Sequence, residues 1–167
     1  GVRVCARLAP TRVARADPPW GGEVVRGAGR AYVRAGAGLT LLGRGATVTG
    51  GQTLVAGEGG FVQVRMADGG MVAIRPLSEF RIDVFDYRGE AATDRVRYQL
   101  RDGVARSITG GVGESNKDAF RLNTPVAAVG VRGTDFVVAT DDARSRVSVN
   151  SGAVVVAALG SGCSADA

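Results

Sequence analysis

The chain is 167 residues long, enough for one domain of ordinary size with its own core. Its 26 glycines recur every few residues without a three-residue period and only 5% of residues are aromatic, which excludes a collagen-like chain and favours many short strands joined by tight turns. Of the 21 basic residues, Arg3, Arg7, Arg12 and Arg15 precede the first acid, leaving 17 basic against 16 acidic residues and no basic face for nucleic acid in the body of the chain.

Residues 1–20 contain Pro10, Pro18 and Pro19, show no period, and read as an arm or linker. The start at Gly1 rather than Met points to a missing natural N-terminus, and Ala14-Arg15-Ala16 has the small-x-small form of a signal-peptidase site behind a stretch too rich in arginine for an apolar leader. An all-β domain is expected over 21–159, followed by a tail over 160–167. Its first strands are expected at Val24-Val25, Ala31–Val33, Leu39–Leu42, Ala46–Thr49 and Thr53–Ala56. Phe61 to Met66 alternates, with Val62, Val64 and Met66 on one face; Asp68-Gly69-Gly70 turns the chain into Met71–Ile74. Phe80, Ile82 and Val84 alternate next, then Val96, Tyr98 and Leu100 beyond a polar loop at 86–94. Asp102-Gly103 repeats the turn chemistry before Val104–Ile108, and the glycine-rich 110–118 reads as a mobile surface loop. The last strands are expected at Phe120–Leu122, Val126–Val131, Asp135–Ala139, Val147–Val149 and Ala153–Ala158, with turns at 132–134, 141–144 and Ser151-Gly152. One short strand roughly every 8–12 residues is the rhythm of an all-β sandwich, barrel or solenoid.

Arg132 places a fixed charge inside an apolar run. Buried, it needs acceptors such as turn carbonyls or the Asp135 carboxylate, and it would staple the turn; exposed, it would face a partner or an anionic ligand. Gly133 allows the backbone to bulge or turn there.

The stretch TPVAAVGVRGTDFVV, Thr124 to Val138, resembles the signature of the FecR domain family. DGGMVAIRPLSEFRI at 68–82 and YQLRDGVARSITGGVGESNKDAFRLNTP at 98–125 resemble the blocks that family places upstream of it, so the resemblance spans roughly 22 to 158. It implies a β-solenoid-like stack of short strands, with a β-sandwich as the alternative. It also implies an extracytoplasmic, periplasmic regulator of bacteria. In signalling members of that family an anti-sigma region and a membrane span precede this domain, which takes its signal from a TonB-dependent outer-membrane transducer. Neither anti-sigma helices nor a span of ~18 apolar residues occurs in this chain, so it looks like the extracytoplasmic domain alone.

No catalytic constellation is expected: without histidine the Ser-His and Cys-His couples cannot form, and no cofactor or metal motif is present. Calcium ligation by Asp68, Asp102, Glu114 or Asn116 lacks a recognised repeat. Cys5 and Cys163 stand near opposite ends; a disulfide between them suits an oxidising compartment, and unpaired cysteines are the other reading. The candidate contact residues are therefore Arg132, Gly133, Thr134 and Asp135 of the signature turn, and Glu114, Ser115, Asn116 and Lys117 of the 110–118 loop. The leading expectation is a non-enzymatic sensing and protein-interaction domain that uses a strand edge or concave sheet face. The alternatives are a module for an envelope glycan or matrix polysaccharide, held by arginines and aromatics such as Trp20, Tyr32 and Tyr87, and a structural subunit that stacks through its sheet edges.

Overall fold

A computed structural model describes residues 20–160; Cys5, Cys163 and nearly all of the expected arm and tail lie outside the described residues. Twelve strands and one short helix follow in order: β1 (Trp20–Ala28), β2 (Ala31–Ala35), β3 (Gly38–Leu41), β4 (Thr47–Thr49), β5 (Thr53–Ala56), β6 (Phe61–Met66), β7 (Met71–Ile74), β8 (Ser78–Asp86), β9 (Arg95–Ile108), α1 (Gly111–Ser115), β10 (Phe120–Asn123), β11 (Ala127–Thr140) and β12 (Ser145–Ala158).

All twelve belong to one strongly curled, half-barrel sheet. Its main path runs β3-β2-β5-β8-β9-β7-β6-β1-β4, and β10, β11 and β12 extend it from β9. Pairing is antiparallel throughout except between β9 and β10, where Phe120 lies opposite Val96 in parallel register. The expected all-β class stands, but neither the solenoid-like stack nor a sandwich of two sheets describes this pairing. Eleven of the twelve strand pairings among the described residues run antiparallel, whereas stacked rungs would run parallel.

The middle of the molecule is β9, which bends where Gly103 takes φ +89° and thereby serves two sets of neighbours. Its first half lies between β8 and β10, its second half between β7 and β11. A Cβ on Gly103 would strike the Ser78 hydroxyl, which accepts from the Val104 N–H at 2.8 Å, so glycine is what lets β9 pass this point.

Alternation supplies the core. Val62, Val64, Phe80, Ile82, Leu100 and Phe136 are each no more than 1% exposed. Alternation would set Val84 on the face of Phe80 and Ile82, but a bulge between Ile82 and Val84 turns Phe85 inward instead. Phe80, Tyr98, Phe120 and Phe136 form a chain of rings across β8, β9, β10 and β11, with centroids 5.1, 5.5 and 6.4 Å apart, the last two contacts edge-on. Such contacts add about 1 kcal/mol each beyond simple burial. Burial, with the Asp68 charge next, holds the Tyr98 phenol well above its ordinary pKa.

Candidate functional site

The signature stretch is one strand, not two. β11 runs from Ala127 to Thr140 and kinks at Arg132-Gly133-Thr134, where its register against β12 shifts. Gly133 at φ +53° and Gly152 of β12 at φ +87° face each other across the kink. A Cβ on Gly152 would strike the Gly133 carbonyl, so the two strands approach more closely than any side chain allows.

Thr134 closes the gap this kink leaves in the ladder. It is 2% exposed, and its hydroxyl lies 2.6 Å from the Ala153 carbonyl and 2.9 Å from that of Arg132, while both residues direct their N–H groups at it from 3.2 Å. Its own N–H donates to the Thr109 hydroxyl at 2.7 Å, and its carbonyl accepts the Thr109 N–H at 3.0 Å. A side-chain hydroxyl thus stands in for missing backbone partners of β11 and β12 and ties both to the end of β9.

Arg132 is not the staple. Its side chain is exposed, and no acceptor engages its guanidinium among the described residues. Asp135 pairs instead with Arg106 of β9, which donates from Nε at 2.9 Å and from Nη2 at 2.6 Å in a two-pronged pair; Asn150 adds a donor at 3.3 Å. Hydrogen bonding from Arg106, above all, lowers the Asp135 pKa, and the same bond raises that of Arg106. The physical reason is register: the residue opposite Asp135 on β9 is Ile108, which places Arg106 diagonally across, whereas Arg132 lies beyond the kink.

Arg132 shares the outer face of the sheet with two further arginines. Arg97 of β9 and Arg121 of β10 are direct neighbours in register, and Arg121 lies opposite Gly130 of β11, two positions before Arg132. The Arg97 guanidinium bonds the carbonyls of Val96, Ala119 and Asp118. Burial, then the Arg121 and Arg95 charges, lowers its pKa.

Beyond β11 the sheet ends at β12, whose other side is open. Ala153 and Leu159 turn their N–H groups toward Thr134 and Val126, on the β11 side. Strand geometry alternates, so Val154, Val156 and Ala158 direct their N–H and C=O groups to the open side. Val155 is 74% and Val156 50% exposed, and residues 147–159 carry no charge and no proline, the usual guards of a free edge. On the other side of Arg106, a groove of about 350 Å³ crosses β6, β7, β9 and β11; Phe61, Met71, Val104 and Ile108 line it and Arg75 and Arg106 flank it.

The 110–118 segment differs from the expected mobile loop. Val112 is fully buried, Gly110 and Gly113 are buried, and the Asp68 carboxylate accepts the N–H groups of Gly70 at 3.0 Å and Val112 at 3.3 Å. Asp102 is similarly engaged with the Gly103 N–H. Glu114, Ser115 and Lys117 are exposed, and Asn116 is partly so, bonding the Ala91 carbonyl. The structure therefore groups Thr134 with Thr109 at the kink and places the end of 110–118 beside the 91–95 loop. Arg106, Thr109 and Ala153 complete the kink and were not foreseen; strand parity in β9 would have flagged Arg106 as outward-facing.

A model of the family described as FecR protein matches residues 52–155, more than half of the chain, from just before β5 into β12. No curated protein and no solved structure matches.

Proposed function

The chain belongs to the FecR family, and from that membership we propose that its folded part is a non-enzymatic sensing domain that binds a protein of the bacterial cell envelope. Its place is extracytoplasmic, in the periplasm, and its role is in envelope signal transduction of the kind that ends in sigma-factor regulation. A TonB-dependent transducer or an associated membrane protein is the class of partner. The observation that carries this reading is the open edge of β12, free of charge over 147–159, apolar over 153–158 and joined directly to the family's signature kink. An edge of this kind binds by strand addition: backbone hydrogen bonds supply affinity, and alternate side chains supply selectivity.

Binding of a glycan, the second reading, draws on the outward Arg97, Arg121 and Arg132. Stacking through sheet edges, the third, draws on the exposed Leu39 and Leu41 of β3 together with Val155 and Val156.

Co-sedimentation of the domain with cell envelopes tests all three. The Val156 N–H points to the open edge and bonds nothing in β11, so Val156→Pro keeps the β11 bonds and loses strand addition. Pelleting that protease treatment of the envelopes abolishes, and that Val156→Pro also abolishes, supports the proposed function. Pelleting lost to muramidase but not to protease replaces it with glycan binding. Pelleting without envelopes, rising with protein concentration, replaces it with self-assembly.

A further inference from the structure

The arginines of the outer face and the open edge of β12 are parts of one surface. Arg132 lies opposite Ala153 of β12. The neighbour between this arginine and the open edge is nearly bare of side chain. A guanidinium on its three-carbon stem clears an alanine methyl, and adjacent strands lie about 4.8 Å apart, so Arg132 is placed to meet the outer-face side chains of a strand added beyond β12. The inner face of the same edge is different. Val154, Val156 and Ala158 continue the core face of β11, where Val131, Val129 and Ala127 are their partners, and Val156 is left half exposed.

We propose that β12 accepts an extended polypeptide segment in which acidic and apolar residues alternate, an acid meeting Arg132 on the outer face and the apolar residues covering Val154 and Val156 on the inner one. This rests on the strand-addition reading above and gives it the chemistry of the partner. Asp135, the acid nearest to Arg132 in the sequence, is held by Arg106. The exposed Arg132 guanidinium, which no acceptor engages among the described residues, is left for an incoming segment.

The probe is a fluorescein-labelled peptide of about eight alternating glutamates and valines, the length of an ordinary strand, with a glutamine-valine counterpart and soluble polygalacturonate. Binding is followed by fluorescence anisotropy against the whole chain. The glutamate peptide binds, Arg132→Gln weakens it about tenfold, the glutamine peptide is weaker by a similar factor, and raised salt reduces the difference. Val156→Pro abolishes binding of both peptides. Arg132 is exposed, so Arg132→Gln keeps the fold, which an unchanged melting temperature verifies. Equal binding of the glutamate and glutamine peptides, still lost in Val156→Pro, overturns the acidic partner and leaves strand addition standing. Binding of polygalacturonate that Arg132→Gln removes and Val156→Pro spares overturns both and favours a glycan. Absence of binding by either peptide, or a β12-mediated dimer that excludes them, overturns the proposal.

Discussion

Thr134 Oγ1 lies 2.6 Å from the carbonyl oxygen of Ala153, nineteen positions further along the chain, in the space where the β11–β12 ladder is interrupted. One hydroxyl there accepts from two N–H groups and has two carbonyls within reach of its single proton. Thr134→Val keeps the shape and leaves these groups without their shared partner in a buried place, at a cost of about 3 kcal/mol. Thr134→Ser keeps the hydroxyl and loses one methyl, at about 1 kcal/mol. Urea denaturation of the two variants separates the hydrogen-bonding role from simple filling of space.

Gly152→Ala meets two obstacles. At φ +87° an L-residue is strained by about 1–2 kcal/mol, and the added methyl strikes the Gly133 carbonyl, which adds a further 1–3 kcal/mol or so of overpacking. Gly51 has φ +85° with open space around its would-be Cβ, so Gly51→Ala reports the strain alone. The difference between the two melting curves measures the closeness of β11 and β12 at the kink.

Asp135 makes the acid limb of stability predictable in sign. Its folded pKa lies below the unfolded value of about 3.9. The contribution of its pair with Arg106 is therefore complete above that pH and is lost as pH falls through the lower, folded value. Arg106 is 48% exposed, so solvent screening holds the pair to under about 1 kcal/mol. Asp135→Asn lowers stability by that small amount at neutral pH, flattens the acid limb, and converges with the parent below it; denaturation across the acid range checks this.

Ser107 presents the opposite case. Its hydroxyl is buried in β9 and finds no hydrogen-bond partner among the described residues. Ser107→Ala removes an unpaired polar group from the core, and a gain of about 1 kcal/mol in unfolding free energy is expected.

Nearly every strand was legible from alternation and glycine punctuation, because each carries its apolar residues at every second position. Gly103, Gly133 and Gly152 misled in a common way. Each was read as the centre of a reversal, yet each takes a positive φ inside a strand that continues, so β9, β11 and β12 are each one bent strand of 14 residues. A positive φ is common to tight turns and to bulges, and only the pairing partner distinguishes them. The same ambiguity hid the site. Asp135 looked like the partner of Arg132, three positions away, until the kink set them apart and long-range register brought Arg106 to it. Parity places Arg97, Arg121 and Arg132 outward, but their grouping needs the parallel β9–β10 pair, which has no local signal.

Lys117 is the single lysine of the chain and stands exposed between α1 and β10. A lysine-specific endoprotease therefore has one place to cut, and the cut falls between the two halves of the fold. The amino-terminal piece retains β1 to β9, and the carboxy-terminal piece carries β10 and β11, which stay paired to β9 along both of its halves and continue its row of edge-on rings, with β12 paired to β11. The nicked domain should hold together without a covalent link. The two pieces, made separately, form a natural split pair whose reunion can be switched on by mixing.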